Sequence, residues 1–162
     1  MVAETEITLT INGLTHTARV KPNRTLLDVL RQFGHVEVKS GCEKADCGAC
    51  AVLLDGQAVD SCITLARLAD GGVVTTVVGL GTPADPHPLQ TAFIEHGAAQ
   101  CGYCIPGMII ASAALLDENP DPTEEEIKLG LSGNLCRCTG YTRIFTAVRE
   151  AAAAMRAQGG AS

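Results

Sequence analysis

The sequence predicts an α+β chain in two successive parts, a strand-rich unit with one helix followed by an all-helical unit. Three observations predict it. Apolar and polar residues alternate through the first half, whereas beyond residue 88 apolar residues recur at helical spacing. Between the two regimes, residues 79–88 carry two Gly and three Pro, the composition of a linker. The expected units are residues 1–80 and 81–162.

Each element follows in order. Ile7, Leu9 and Ile11 alternate with polar neighbours, Asn12-Gly13 is a tight-turn signal, and residues 15–20 return as the second strand. Thr25 with Asp28 forms a capping box ahead of the apolar stripe Leu26, Leu27, Val29, Leu30 and Phe33, and Gly34 is placed to end that helix. Residues 51–54 and 57–59 read as a hairpin about Asp55-Gly56, and residues 73–78 as a last strand. This set of strands with one helix is compatible with a β-grasp arrangement.

The second part holds four helices, predicted to form a four-helix bundle. Pro88 opens the first, before Leu89, Ala92 and Phe93, and Gly97 closes it. Pro106 opens the second, with Met108, Ile109, Ser112 and Leu116 on one stripe and Asn119-Pro120 at its end. Thr123 and Glu126 cap the third, which carries Ile127 and Leu131 and stops at Gly133. Ile144, Val148, Ala151 and Met155 are the inward stripe of the fourth.

Composition narrows the function classes. Of the 162 residues 46% are hydrophobic, enough for a core, but only 3% are aromatic. Small side chains, with 17 Gly among them, suit close backbone approach to buried cofactors. A net charge of −6 without a basic stripe argues against nucleic acid or an anionic membrane as partner. No apolar run is long enough to span a bilayer. Residues 1–6 show neither a secretory n-region nor a twin-arginine signal, so a reducing, cytoplasmic location is expected.

The 8 cysteines carry the chemistry, in two groups of four. Cys42, Cys47 and Cys50 crowd one loop and Cys62 follows, the C-x4-C-x2-C…C spacing of plant-type [2Fe–2S] ferredoxins. Cys101 and Cys104 fall in the turn between the first and second helices of the second part, and Cys136 and Cys138 between the third and fourth. In a reducing compartment disulfides are disfavoured, so the thiols are expected to be metal ligands. The alternative is zinc, since four thiolates also make a closed zinc site that staples a fold. A zinc ribbon draws on two similar CxxC knuckles, whereas here three cysteines share a loop interleaved with Gly48 and preceded by Gly41. That loop suits a binuclear cluster, whose sulfurs need backbone amides close by. The expected chemistry is one-electron transfer.

The residues around the cysteines resemble the small iron–sulfur subunits of the molybdenum hydroxylases, the xanthine oxidase family. The sequence from Gly41 to Cys50 is similar to the family's first cluster loop; Gln100 to Met108 and Gly133 to Tyr141 are similar to its second cluster segments. The resemblance spans roughly residues 5–155. It implies a ferredoxin-like domain whose outer [2Fe–2S] cluster is held by Cys42, Cys47, Cys50 and Cys62. It implies an inner [2Fe–2S] cluster on Cys101, Cys104, Cys136 and Cys138, beside molybdopterin, in a dinucleotide form, bound by a large subunit. Gln100 and Cys138 match the positions that approach the pterin. Electrons would run from molybdenum through the inner and outer clusters to FAD on a medium subunit, in a heterotrimer or a dimer of heterotrimers. Substrate chemistry then lies on another chain. Two features depart from the family: Ile105 stands where relatives often carry Thr or Ser, which removes a hydroxyl beside the inner cluster, and the segment Phe33 to Ser40 is slightly shorter than usual, which bears on the loop's surface and not on ligation. The rival readings are a free-standing two-cluster ferredoxin and a zinc-stabilised interaction module.

Other tempting residues have plainer roles. His16, His35, His87 and His96 lack ligand spacing and read as surface or capping residues. Lys44 and Arg137 are loop charges beside cysteines, Glu124 to Glu126 favour a helix N-terminus, and Met108 and Met155 belong to core stripes. Tyr103 and Tyr141 are expected to pack over the inner cluster or against a partner.

Overall fold

The computed structural model describes residues 3–159. Strands β1 (Thr5–Ile11) and β2 (Leu14–Val20) pair antiparallel with Ile11 opposite Leu14, so Asn12 and Gly13 form a two-residue turn. Both turn residues have positive φ, 49° and 83°, which is the conformation such a turn requires. The alternation buries Ile7, Leu9 and Ile11. Helix α1 (Leu26–Gln32) starts on the expected capping box: Thr25 accepts from the Asp28 amide and Asp28 returns the bond to the Thr25 amide. Strands β3 (Ala51–Leu54) and β4 (Gln57–Asp60) form the second hairpin, and β5 (Val73–Thr75) completes a sheet of order β2-β1-β5-β3-β4. Strand β5 runs parallel to β1 and antiparallel to β3.

Two differences from expectation occur at the end of this unit. Strand β5 stops at Thr75 instead of running to residue 78, because the Thr76 amide turns out of the ladder to donate to Asn12 Oδ1 at 2.9 Å. Residues Val77–Leu80 then form a short helix, α2, inside what was read as strand and linker. A turn of 3-10 helix at Ala66–Ala69 was also unanticipated. It buries Ala66 and Ala69, and the Leu26 amide donates to Thr64 O at 2.7 Å, which ties the segment after Cys62 to the start of α1.

In the second part, α3 (Pro88–Glu95), α4 (Ile105–Glu118), α5 (Glu124–Gly130) and α6 (Thr142–Gly159) enclose their own core around Leu89, Met108, Ile127 and Ile144. Helix α3 packs along α6, while α4 also rests on β3 and so joins the two cores. The third helix is shorter than expected. It ends at Gly130 because Asn134 N donates to Leu131 O at 2.9 Å and Leu135 N donates to Cys47 O at 3.0 Å, drawing residues 131–135 towards the first part. Among the described residues no helix is long and apolar enough to cross a membrane.

Candidate metal centres

The first cysteine loop is closed at its base by Lys39 N donating to Ala49 O at 3.3 Å. Between those residues the backbone curls through left-handed conformations at Glu43, Ala45 and Gly48. The curl points amide hydrogens inward: Asp46 N donates to Cys42 Sγ at 3.3 Å. Gly41 has no room for a side chain, since a Cβ there would sit 2.8 Å from Cys47 Sγ. Cys62 arrives from the segment tied to α1, and buried Ser61 fixes it beside Cys50 by donating to Cys50 O at 2.7 Å. The Cys47 thiol contributes to the shift of Cys42 and the Cys62 thiol to that of Cys50, so these residues are neighbours.

The second set is built by two interhelical turns. Cys101 and Cys104 lie in the α3–α4 connection, Cys104 being the residue before α4, and Cys136 and Cys138 lie in the α5–α6 connection. Cys138 Sγ is 3.6 Å from Cys101 Sγ, and the Cys136 thiol is near enough to Cys104 to help raise it. Two thiolates on one tetrahedral metal at about 2.3 Å lie about 3.8 Å apart, so the Cys101–Cys138 spacing fits a shared metal ion. Cys101, Cys138 and Gln100 are all exposed, whereas Cys104 is buried.

The two sets face each other. Six of their sulfur-bearing residues, Cys42, Cys47, Cys101, Cys104, Cys136 and Cys138, line one cavity of about 320 Å³. Three bonds clamp its walls. Leu135 N reaches Cys47 O, the Asn134 side-chain amide donates to Gly48 O at 3.0 Å, and Tyr103 Oη donates to Ser40 O at 2.6 Å.

Electrostatics differentiates the members of each pair. Backbone N–H groups of Lys44 and Asp46 bring the Cys42 thiol down to about 7, while burial raises its neighbour Cys47. Burial opposes ionisation of Cys136, but the Thr139 hydroxyl and amide bring it down to about 7. Its partner Cys104 is pushed up to about 12, first by burial and then by the Cys136 sulfur. Burial likewise carries Cys50 up to about 12, with the Asp60 carboxylate adding to the shift. The Cys101 sulfur raises Cys138. A thiol couple of this kind would give up its protons on binding a soft metal.

Four thiols in each set are the number of ligands that a [2Fe–2S] cluster takes, and a closed zinc site takes the same number. Among the described residues no three Cys, His, Asp or Glu side chains converge on the position of one ion.

The remaining sequence readings find definite places. His87 caps α3, accepting from Leu89 N, and His35 pairs with Glu37 at 2.9 Å. Lys44 pairs with Asp46 at 3.1 Å, Arg137 is exposed, and Met108 is core. Tyr141 Oη accepts from Cys136 N at 2.7 Å and its ring stacks on Phe145. Sequence reasoning assigned no role to Asn134 or Thr139. The available signal was their position, a polar residue two places before Cys136 and another directly after Cys138.

Comparison with known proteins agrees with this geometry. Residues 9–76 match the model of the 2Fe-2S iron-sulfur cluster binding domain, and residues 76–149 match that of the [2Fe-2S] binding domain. The nicotinate dehydrogenase small FeS subunit of Eubacterium barkeri is 51% identical over 146 residues, covering 90% of this chain and 93% of that one. The aldehyde oxidoreductase of Megalodesulfovibrio gigas is 47% identical over 149 residues, and there the match spans 90% of this chain but 16% of the longer relative. The crystal structure of quinoline 2-oxidoreductase from Pseudomonas putida 86 superposes with a TM-score of 0.89 at 41% identity, covering 95% of this chain and 97% of its counterpart. Near-full coverage on both sides, with two cluster-binding models end to end, leaves one assignment: the chain belongs to the small iron–sulfur subunits of the molybdenum hydroxylase family.

Proposed function

We propose that Cys42, Cys47, Cys50 and Cys62 hold an outer [2Fe–2S] cluster and Cys101, Cys104, Cys136 and Cys138 an inner one. The chain is the non-catalytic electron-transfer part of an oxidoreductase complex. In our reading it links a molybdopterin dinucleotide on a large subunit to FAD on a medium subunit, within a cytoplasmic heterotrimer or dimer of heterotrimers. The observation that carries the reading is the shared cavity, with sulfurs of both quartets on its walls.

When bound, each cluster supplies reversible one-electron uptake. The protein's part is to hold and separate the two centres. The Cys47 O to Leu135 N bond joins a residue of one quartet to the neighbour of Cys136 in the other, giving a short bonded route between them. Burial of Cys50, Cys62 and Cys104 keeps water from those sulfurs, while the exposed Gln100, Cys101 and Cys138 form the end open to a pterin-bearing partner. A division near residue 80, into a β-grasp ferredoxin-like domain and a four-helix-bundle domain, is supported by two separate cores and by the single helix set on a five-stranded sheet.

Anaerobically purified chain should contain about four irons and four sulfides and show two distinct reduced [2Fe–2S] EPR signals. Colourless protein with about two zincs would overturn the reading. Elution from its native source with a molybdenum-containing large chain is the second expectation; elution alone would favour a free-standing ferredoxin.

A further inference from the structure

We propose that the Thr139 hydroxyl sets the reduction potential of the inner cluster by hydrogen bonding to Cys136 Sγ, an inference that rests on the two-cluster reading. Among the described residues this is the one side-chain hydroxyl bonded to a cysteine sulfur. The oxygen lies 3.0 Å from Cys136 Sγ, and the Thr139 amide donates to the same sulfur at 3.4 Å.

The direction of the bond follows from chemistry. A metal-bound Cys136 is a thiolate and has no proton to give, so the proton between the two atoms must belong to Thr139. The hydroxyl oxygen also accepts from Tyr141 N at 3.2 Å, which leaves its own hydrogen free to point at sulfur. The turn that arranges this is uncommon. Gly140 and Tyr141 both have positive φ, 69° and 68°, and the second is a bulky residue that seldom adopts that conformation. The strained position returns Tyr141 Oη to the Cys136 amide at 2.7 Å, so hydrogen bonds fasten the turn at both ends. Thr139 is itself partly buried, which limits competition from water.

The energetic consequence has one sign. Reduction adds one electron and no proton, so the reduced cluster places more negative charge on its sulfurs. A donor held on a ligand sulfur stabilises that form more than the oxidised one and raises the potential. Ile105, the residue after Cys104, offers no hydroxyl.

The test is an anaerobic potentiometric titration of the full chain, followed by EPR of both signals, in wild type, Thr139→Val and Thr139→Ser. Thr139→Val should shift the inner couple towards the oxidised form by about tenfold at fixed potential, or 59 mV for one electron. The outer couple should stay in place, and Thr139→Ser should restore the wild-type value. An unchanged inner couple in Thr139→Val overturns the proposal. If that variant loses its inner cluster, Thr139→Ser decides, because a wild-type potential supports the proposal and a lowered one overturns it. Wild-type protein without iron and sulfide would instead overturn the two-cluster reading.

Discussion

The side-chain amide of Asn134 donates to the carbonyl of Gly48 at 3.0 Å, across 86 residues of sequence and inside the seam between the two cysteine sets. Asn134 is 6% exposed, and the carbonyl it meets also accepts from Ala51 N at 3.1 Å. One buried polar contact therefore fixes the second cysteine turn against the first loop.

The seam makes a prediction about stability. Asn134→Ala leaves Gly48 O with its Ala51 bond, so the loss should be about 1 kcal/mol. Gly48→Ala should cost more, about 2–4 kcal/mol, because φ is +64° and the new Cβ strikes both the Asn134 side chain and the Gly133 carbonyl. The double variant should be less destabilised than the sum, since removing the Asn134 side chain relieves that part of the clash and leaves only the contact with the Gly133 carbonyl. Urea unfolding of the cluster-containing chain measures all three, and strict additivity would mean that the two residues do not share the seam.

The partition of cysteines makes a second. Cys42→Ser should perturb the outer EPR signal and impair delivery to the final acceptor while reduction of the inner centre persists. Cys138→Ser should perturb the inner signal and impair electron entry from the cofactor side. Equal loss of both signals in each variant would show that the two quartets do not hold separate clusters.

Much of this was legible in the residues. The Asn12-Gly13 and Asp55-Gly56 turns, the Thr25/Asp28 and Thr123/Glu126 capping boxes and Pro88 at the head of α3 are local signals with local causes, and each element formed where they stand. Cysteine spacing divided the eight thiols into two groups, and the fold brings Cys101 and Cys138 of the second group within 3.6 Å. What was not legible depends on distant partners. Strand β5 ends at Thr75 because Asn12, 64 residues away, captures the Thr76 amide, and α5 stops early because the following segment bonds to Cys47. The roles of Asn134 and Thr139 are likewise set by what the fold brings to them, and periodicity carries no trace of that.

Glu37 ties the segment before the first cysteine loop to the start of the connection between the two parts. Its carboxylate accepts from Thr76 Oγ1 at 2.8 Å and pairs with His35 at 2.9 Å. Burial pushes its pKa up, yet Thr76, its own amide and His35 together hold it below the usual 4.5. A carboxyl lowered in the folded state contributes stability that is complete above its unfolded value and is lost as pH falls through the folded one. Glu37→Gln should therefore cost about 1–2 kcal/mol at pH 7, and the gap to wild type should close in acid below the usual carboxylate range. Urea midpoints at neutral and acid pH test this; a constant gap would show that charge is not what Glu37 contributes.

Thiol reactivity reports whether the cysteine loops hold their shape before metal enters. Cys42 and Cys136 sit at about 7, so at pH 8 roughly nine-tenths of each is thiolate, whereas Cys50 and Cys104, at about 12, remain protonated. The thiolate is the nucleophile, and Cys50 and Cys104 are also buried. After anaerobic chelation, limited treatment with iodoacetamide at pH 8 followed by peptide mass spectrometry should find Cys42 and Cys136 alkylated first and Cys50 and Cys104 last. Lowering the pH to 6 should slow the first two by about tenfold, because their thiolate fraction falls with each proton regained. Equal rates at all eight positions would mean that the amide-lined loops take form only around the metal, and that Asp46 N and Thr139 N do not prepare their sulfurs in advance.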